Sequence, residues 1–203
     1  MFDTYNPVPM PSGSEPRRKL ACLVGFMGSG KTTVGRLLAA QLAWHFLDLD
    51  QQIEEQAGLP VAEIFSRSGE PAFRDLEHEC LLRALGWATE RNLPLVLALG
   101  GGTFVQPRNV AALREAGGTM LWLDCPVDEL LQRCVMMADR PLFRDEASFR
   151  KLYEDRLPFY QQADHRIESG PDSREAVERI LKLRIFDRAG SPEANPMTGS
   201  VIA

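Results

Sequence analysis

Gly25–Thr32 reads GFMGSGKT and fits the pattern G-x-x-x-x-G-K-[ST]. Backbone N–H groups in such a loop wrap a polyphosphate, and a helix starting at its end adds the favourable pole of its dipole. In that setting Lys31 reaches the β- and γ-phosphates, and the Thr32 hydroxyl holds magnesium. The loop alone does not separate a kinase from an ATPase or GTPase. No N-K-x-D stretch follows a later strand, which argues against a GTPase, and motor or transporter ATPases are usually larger. A small-molecule kinase fits best.

Five further places carry charge or glycine where a core pattern would not. FLDLD, Phe46–Asp50, ends an apolar run with Asp48 and Asp50; in extended chain, residues two apart point to the same side. On a helix over 70–88, Phe73, Leu76, Cys80, Ala84 and Trp87 form the apolar stripe. Glu77 falls about 40° from Phe73, and Arg74 sits at the stripe's edge. An i,i+3 pair reaching water and a pair serving a site both fit those angles. On a helix over 146–162, Arg156 lies about 20° from Phe149, inside an aromatic arc. An arginine there suits a cleft that meets an anion better than a core. Gly100–Gly102 follows the strand LVLAL and lets a ligand approach the backbone closely. In ADRPLF, Ala138–Phe143, Arg140 reads most simply as a solvated loop residue; the alternative is an arginine that swings over a transferring phosphate.

The elements that must position these groups alternate between strand and helix. Strands are expected at 20–24, 45–48, 95–99, 119–123 and 165–168. Helices are expected at 31–43, 50–57, 60–67, 70–88, 107–116, 126–136, 146–162 and 173–186. That order implies an α/β fold with a parallel sheet wound on both faces. The chain of 203 residues suffices for one domain. Hydrophobic residues make up 44% and charged residues 25%, which is ordinary globular usage. A net charge of −5 argues against a nucleic-acid binder. The four cysteines show no C-x-x-C spacing and read as reduced core residues of a cytoplasmic protein. The three histidines form no ligand pattern. No run of 18 apolar residues and no apolar leader are present, so neither a membrane span nor a secretory signal is expected. Residues 1–18 and 189–203 read as flexible extensions flanking a 19–188 domain.

Taken together, GFMGSGKTTVGRLLA, FLDLDQQIE, GLPVAEIF with GEPAFRDLE, LALGGGTF, DRPLF and the helix carrying Arg156 resemble the shikimate kinase family over about residues 20–185. The resemblance implies ATP-dependent phosphorylation of the 3-hydroxyl of shikimate, a step toward chorismate and the aromatic amino acids. It implies a P-loop fold of the nucleoside-monophosphate-kinase kind: a three-layer α/β/α architecture with a five-stranded parallel sheet. The substrate region would span about 50–80 and a lid about 137–147. Arg74 and Arg156 would clamp the shikimate carboxylate, with Glu77 orienting Arg74 and with Gly101 and Gly102 beside the substrate. Asp50 would position or deprotonate the reacting hydroxyl. ATP would lie on Gly28, Ser29, Gly30, Lys31, Thr32 and Thr33, with Arg133 against the adenine. Lys31 and Arg140 would neutralise the transferring phosphoryl. Mg2+ would sit by Thr32 and Asp48. The implied partners are two small molecules acting on a monomer. Two departures stand out: Asp139 precedes R-P-L where the family often has Asn, and GPDSRE gives no clear match to the second adenine contact. Gluconate kinase is the nearest enzymatic rival, and a non-catalytic relative is the rival of another class.

Overall fold

The computed structural model describes residues 18–136 and 145–189. Five strands form one sheet: β1 (Leu20–Val24), β2 (His45–Asp48), β3 (Leu95–Ala98), β4 (Thr119–Asp124) and β5 (His165–Glu168). Their order is β2-β3-β1-β4-β5, and every pair is parallel. β1 and β3 are wholly buried apolar runs, as a parallel strand covered on both faces requires. Alternation along each strand divides the interior into two cores. Ala21, Leu23, Val96 and Leu121 pack with Val34, Leu38, Ala176 and Ile180 on the side of α1 (Lys31–Leu42) and α7 (Ser173–Lys182). Cys22, Leu97, Met120 and Trp122 pack with Phe73, Leu81, Phe149 and Tyr160 on the side of α3 (Val61–Glu90) and α6 (Glu146–Tyr160). The expected three-layer α/β/α architecture is the one observed.

Two local features differ from simple periodicity. The helices expected at 60–67 and 70–88 run on as α3, broken at Gly69, whose φ of 78° and ψ of 170° are not helical. Pro71 follows at the start of the second half, where its missing N–H costs least. At FLDLD the strand stops at Asp48, and α2 (Leu49–Ala57) begins at once. Asp48 is the N-cap, its carboxylate accepting from the Asp50 amide at 3.1 Å. Asp50 therefore stands in the first helical turn, and the same-side extended geometry of the two acids does not hold. The reason is the capping strength of Asp, which ends the strand before alternation can continue.

The remaining helices are α4 (Pro107–Glu115) and α5 (Val127–Met136). Beyond α7 the chain folds back on the end of α1. The Trp44 indole donates to the Asp187 carbonyl at 2.8 Å, the Ala189 amide donates to the Leu42 carbonyl at 2.8 Å, and Phe186 bridges to Arg18. Described structure thus includes residues 18 and 189, one beyond the expected domain at each end. The rest of both expected tails and lid residues 137–144 lie outside the described residues. The four cysteines are free and buried. No described helix is long and apolar enough to cross a membrane.

Candidate active site

Strand order decides what meets at the carboxyl edge of the sheet. β3 lies between β2 and β1. The segments leaving these strands are Asp48–Asp50, Gly100–Gly102 and the phosphate loop, so they stand side by side. This is the edge where open α/β sheets place their ligands.

The phosphate loop is shaped by glycines with positive φ: Gly28 at 79° and Gly30 at 88°. Gly30 caps α1, so the helix dipole points into the loop. Lys31 donates through Nζ to the carbonyls of Gly25 and Phe26, both at 2.9 Å. Ser29 is buried, with its carbonyl accepting from the Ser169 hydroxyl at 3.2 Å, while Thr33 is exposed on α1. Arg133 on α5 donates to the Gly28 carbonyl at 3.0 Å and pairs with Glu129. The Thr32 hydroxyl donates to Asp48 Oδ2 at 2.6 Å. That pair offers a hydroxyl and a carboxylate oxygen at the mouth of a phosphate loop. It suits Mg2+, which keeps several waters and binds through few protein oxygens plus substrate phosphates. Among the described residues no group of three or more His, Cys, Asp or Glu forms a metal cage.

The three glycines after β3 are explained by what crowds them. A Cβ on Gly100 would lie 2.5 Å from Asp50 Oδ1, 2.9 Å from Thr103 Oγ1 and 3.4 Å from Glu77 Oε1. A Cβ on Gly101 would lie 3.4 Å from Arg156 Nη1 and 3.5 Å from the Met27 amide nitrogen. A Cβ on Gly102 would lie 2.5 Å from Arg74 Nη2. One tight segment therefore gathers Asp50, Glu77, Arg74 and Arg156, and brings the phosphate loop against Gly101.

The two arginines are held by different means. Arg74 donates through Nη1 to both oxygens of Glu77, at 3.1 and 3.0 Å, and through Nε and Nη2 to Glu70. Glu77 is 1% exposed, so the pair does not reach into water. Its guanidinium also lies 5.2 Å from the Phe73 ring centre and 5.8 Å from that of Phe65. Arg156 lies 5.6 Å from the ring centre of Phe26, which packs edge-on against Phe149 and Tyr153. Both guanidiniums thus lie over aromatic rings and beside the glycine segment.

Sequence reasoning missed three contributors. Tyr160 read as a core aromatic, yet its hydroxyl donates to the Gly101 carbonyl at 2.5 Å. Burial pushes this phenol up to about 12, with nearby Arg156 opposing, so it stays a neutral donor. Thr103 and Asn109 are fully buried polar residues that join the Glu77 side of the cleft. Nothing in the linear pattern marks them, since a Thr after Gly-Gly-Gly and an Asn in a short helix are unexceptional. Arg140 lies outside the described residues.

The shikimate kinase family model matches residues 27–184. A shikimate kinase of Persephonella marina is 42% identical over 161 residues, 78% of this chain and 94% of its own length. One from Moorella thermoacetica is 44% identical over 162 residues, 79% of this chain and 90% of its own. The solved shikimate kinase of Acinetobacter baumannii in complex with shikimate superposes with a TM-score of 0.75 at 36% identity, covering 83% of this chain and 93% of that one. The chain belongs to the shikimate kinase family. In this family member, the phosphate loop, the capped Asp48–Asp50 turn and the glycine segment converge on a single cleft.

Proposed function

We infer that this chain transfers the γ-phosphoryl group of ATP to the 3-hydroxyl of shikimate, giving shikimate 3-phosphate and ADP. The observation that carries the reading is the convergence of Arg74, Arg156, Asp50 and the phosphate loop on Gly100–Gly102. Two cations serve one substrate carboxylate, and the Asp50 carboxylate beside them serves a hydroxyl. That is the charge pattern of shikimate; gluconate also offers a carboxylate and hydroxyls, but as a flexible chain it does not call for two fixed arginines beside Asp50.

The roles follow from geometry and charge. Arg74 and Arg156 fix the substrate carboxylate, with Gly101 and Gly102 giving the ring room to lie on the backbone. Glu77 keeps Arg74 aimed, and the exposed Glu70 is the partner that a substrate carboxylate would displace. Asp50 accepts from the reacting hydroxyl and orients its lone pair toward the phosphoryl group. The phosphate loop, from Gly28 to Thr33, holds the triphosphate; Lys31 and Arg140 neutralise charge on the transferring group. Arg133 lies against the adenine. Thr32 and Asp48 would hold Mg2+, which offsets charge on the phosphate oxygens when bound. Free buried thiols suit a reducing cytoplasm, and two small-molecule substrates need no more than a monomer.

A coupled ADP-release assay tests the reading with shikimate, gluconate and no acceptor. ADP release that depends on shikimate, with little from gluconate, is the expected result. Release that ignores shikimate overturns it.

A further inference from the structure

Behind Arg74 a polar chain runs on past the residues given roles above. The Thr103 hydroxyl donates to Glu77 Oε1 at 2.7 Å, and both side chains are buried. Glu77 Oε1 also accepts from Arg74 Nη1 at 3.1 Å. Thr103 begins the 3-10 turn Thr103–Val105 and follows Gly102 directly. Its carbonyl accepts from Asn109 Nδ2 at 3.1 Å, and Asn109 Oδ1 lies 2.7 Å from His78 Nδ1. Asn109 is fully buried on α4, while His78 stands on α3 one turn beyond Arg74. The chain therefore runs from α3 through the glycine segment to α4 and back to α3.

We propose that Thr103, pinned by Asn109, is a positioning residue that sets the aim of Arg74 through Glu77. Two arguments carry this. A buried carboxylate with one cationic partner keeps other rotamers unless its remaining lone pairs are engaged, and Thr103 supplies that second donor. The same residue is covalently next to Gly102, against which the guanidinium packs. The hydroxyl thus fixes both the anion that holds Arg74 and the backbone beneath it. Valine has nearly the shape of threonine but no donor, so exchanging them isolates the bond from the packing. The proposal rests on Arg74 binding the shikimate carboxylate.

Thr103→Val should raise the KM for shikimate about tenfold, the effect of one hydrogen bond to a buried charge. The KM for ATP should stay within about twofold, because the bonds of this chain join Thr103, Glu77, Arg74, Asn109 and His78, and none of these bonds is to the phosphate loop. Thr103→Ser should restore the shikimate KM. An unchanged shikimate KM, an equal rise for both substrates, or failure of serine to rescue would each overturn the proposal. Should the valine protein not fold, Thr103→Ala gives the same readout without the bulk of a branched side chain. Arg74→Ala is measured in parallel. If it leaves the shikimate KM unmoved, the carboxylate clamp itself fails. If it raises KM while Thr103→Val does not, only the positioning role fails. In the double exchange Thr103→Val with Glu77→Gln, the effects should be less than multiplicative, since both act on one guanidinium.

Discussion

Asp48 commits both carboxylate oxygens, one to the Thr32 hydroxyl and one to the Asp50 amide. Those bonds tie the end of β2 to the start of α1 and fix where α2 begins. Asp50, two residues on, instead directs Oδ1 toward Gly100 and the acceptor side of the cleft. The two acids thus differ in surroundings, and their exchange should differ in effect. Asp50→Ala should abolish turnover while ATP affinity survives, read by kcat and by nucleotide titration. A collapse of ATP affinity would assign Asp50 to the nucleotide site instead. Arg156 rests on the Phe26 ring, and its neighbour Asp155 pairs with Lys151 rather than holding it as Glu77 holds Arg74. Arg156→Ala should therefore act through the substrate: a shikimate KM at least tenfold higher, from loss of a charge-assisted pair worth roughly 1.5–3 kcal/mol. An unmoved KM would contradict the clamp.

The glycine segment after β3 is the element on which these residues depend, and its first and last positions should fail in different ways. Gly102→Ala would place a methyl 2.5 Å from Arg74 Nη2, displacing a flexible guanidinium rather than backbone. The expected outcome is a raised shikimate KM with little loss of melting temperature. Gly100→Ala would press on Asp50 Oδ1 and Thr103 Oγ1, so kcat should fall more than KM rises. Steady-state kinetics of the two variants separates these effects, and identical profiles would mean that the segment acts only as a turn. Much of this was legible in the linear chain. The G-x-x-x-x-G-K-T loop, the charge inside the aromatic arc at Arg156 and the triple glycine each break a pattern that packing would otherwise impose. The buried Glu77 was legible as an angle, but whether Arg74 carried it to water or to a site was not. Thr103, Asn109 and Tyr160 were invisible because their polarity matters only through burial and partners contributed by other elements. The geometry of FLDLD was misread for a related reason. The same-side reading takes Asp50 as extended chain, whereas Asp48 ends β2 as expected and caps a helix that holds Asp50 in its first turn.

At the scale of the whole molecule, chemistry and anchorage occupy opposite ends of the same strands. The cleft lies at the carboxyl ends of β1, β2 and β3, whereas Trp44 precedes β2 at the other edge. There the indole packs edge-on against Phe186 at 5.2 Å and donates to the Asp187 carbonyl. Trp44 is 8% exposed, and together with the Ala189–Leu42 bond it fastens the segment after α7 over α1. Trp44→Ala removes a large buried side chain and leaves a carbonyl without its donor. The expected loss is about 3 kcal/mol, at the lower end for such truncations because the site opens to solvent. For a domain of this size that lowers the melting temperature by roughly 6–12 °C. Shikimate and ATP KM values measured well below the transition should be unchanged, since the sheet between the two ends is a packed parallel core with both faces covered. Thermal unfolding and steady-state kinetics on the same preparation check both halves. An unaltered melting temperature would mean that the C-terminal strap adds nothing, and a shifted KM would mean that it reaches the cleft through α1.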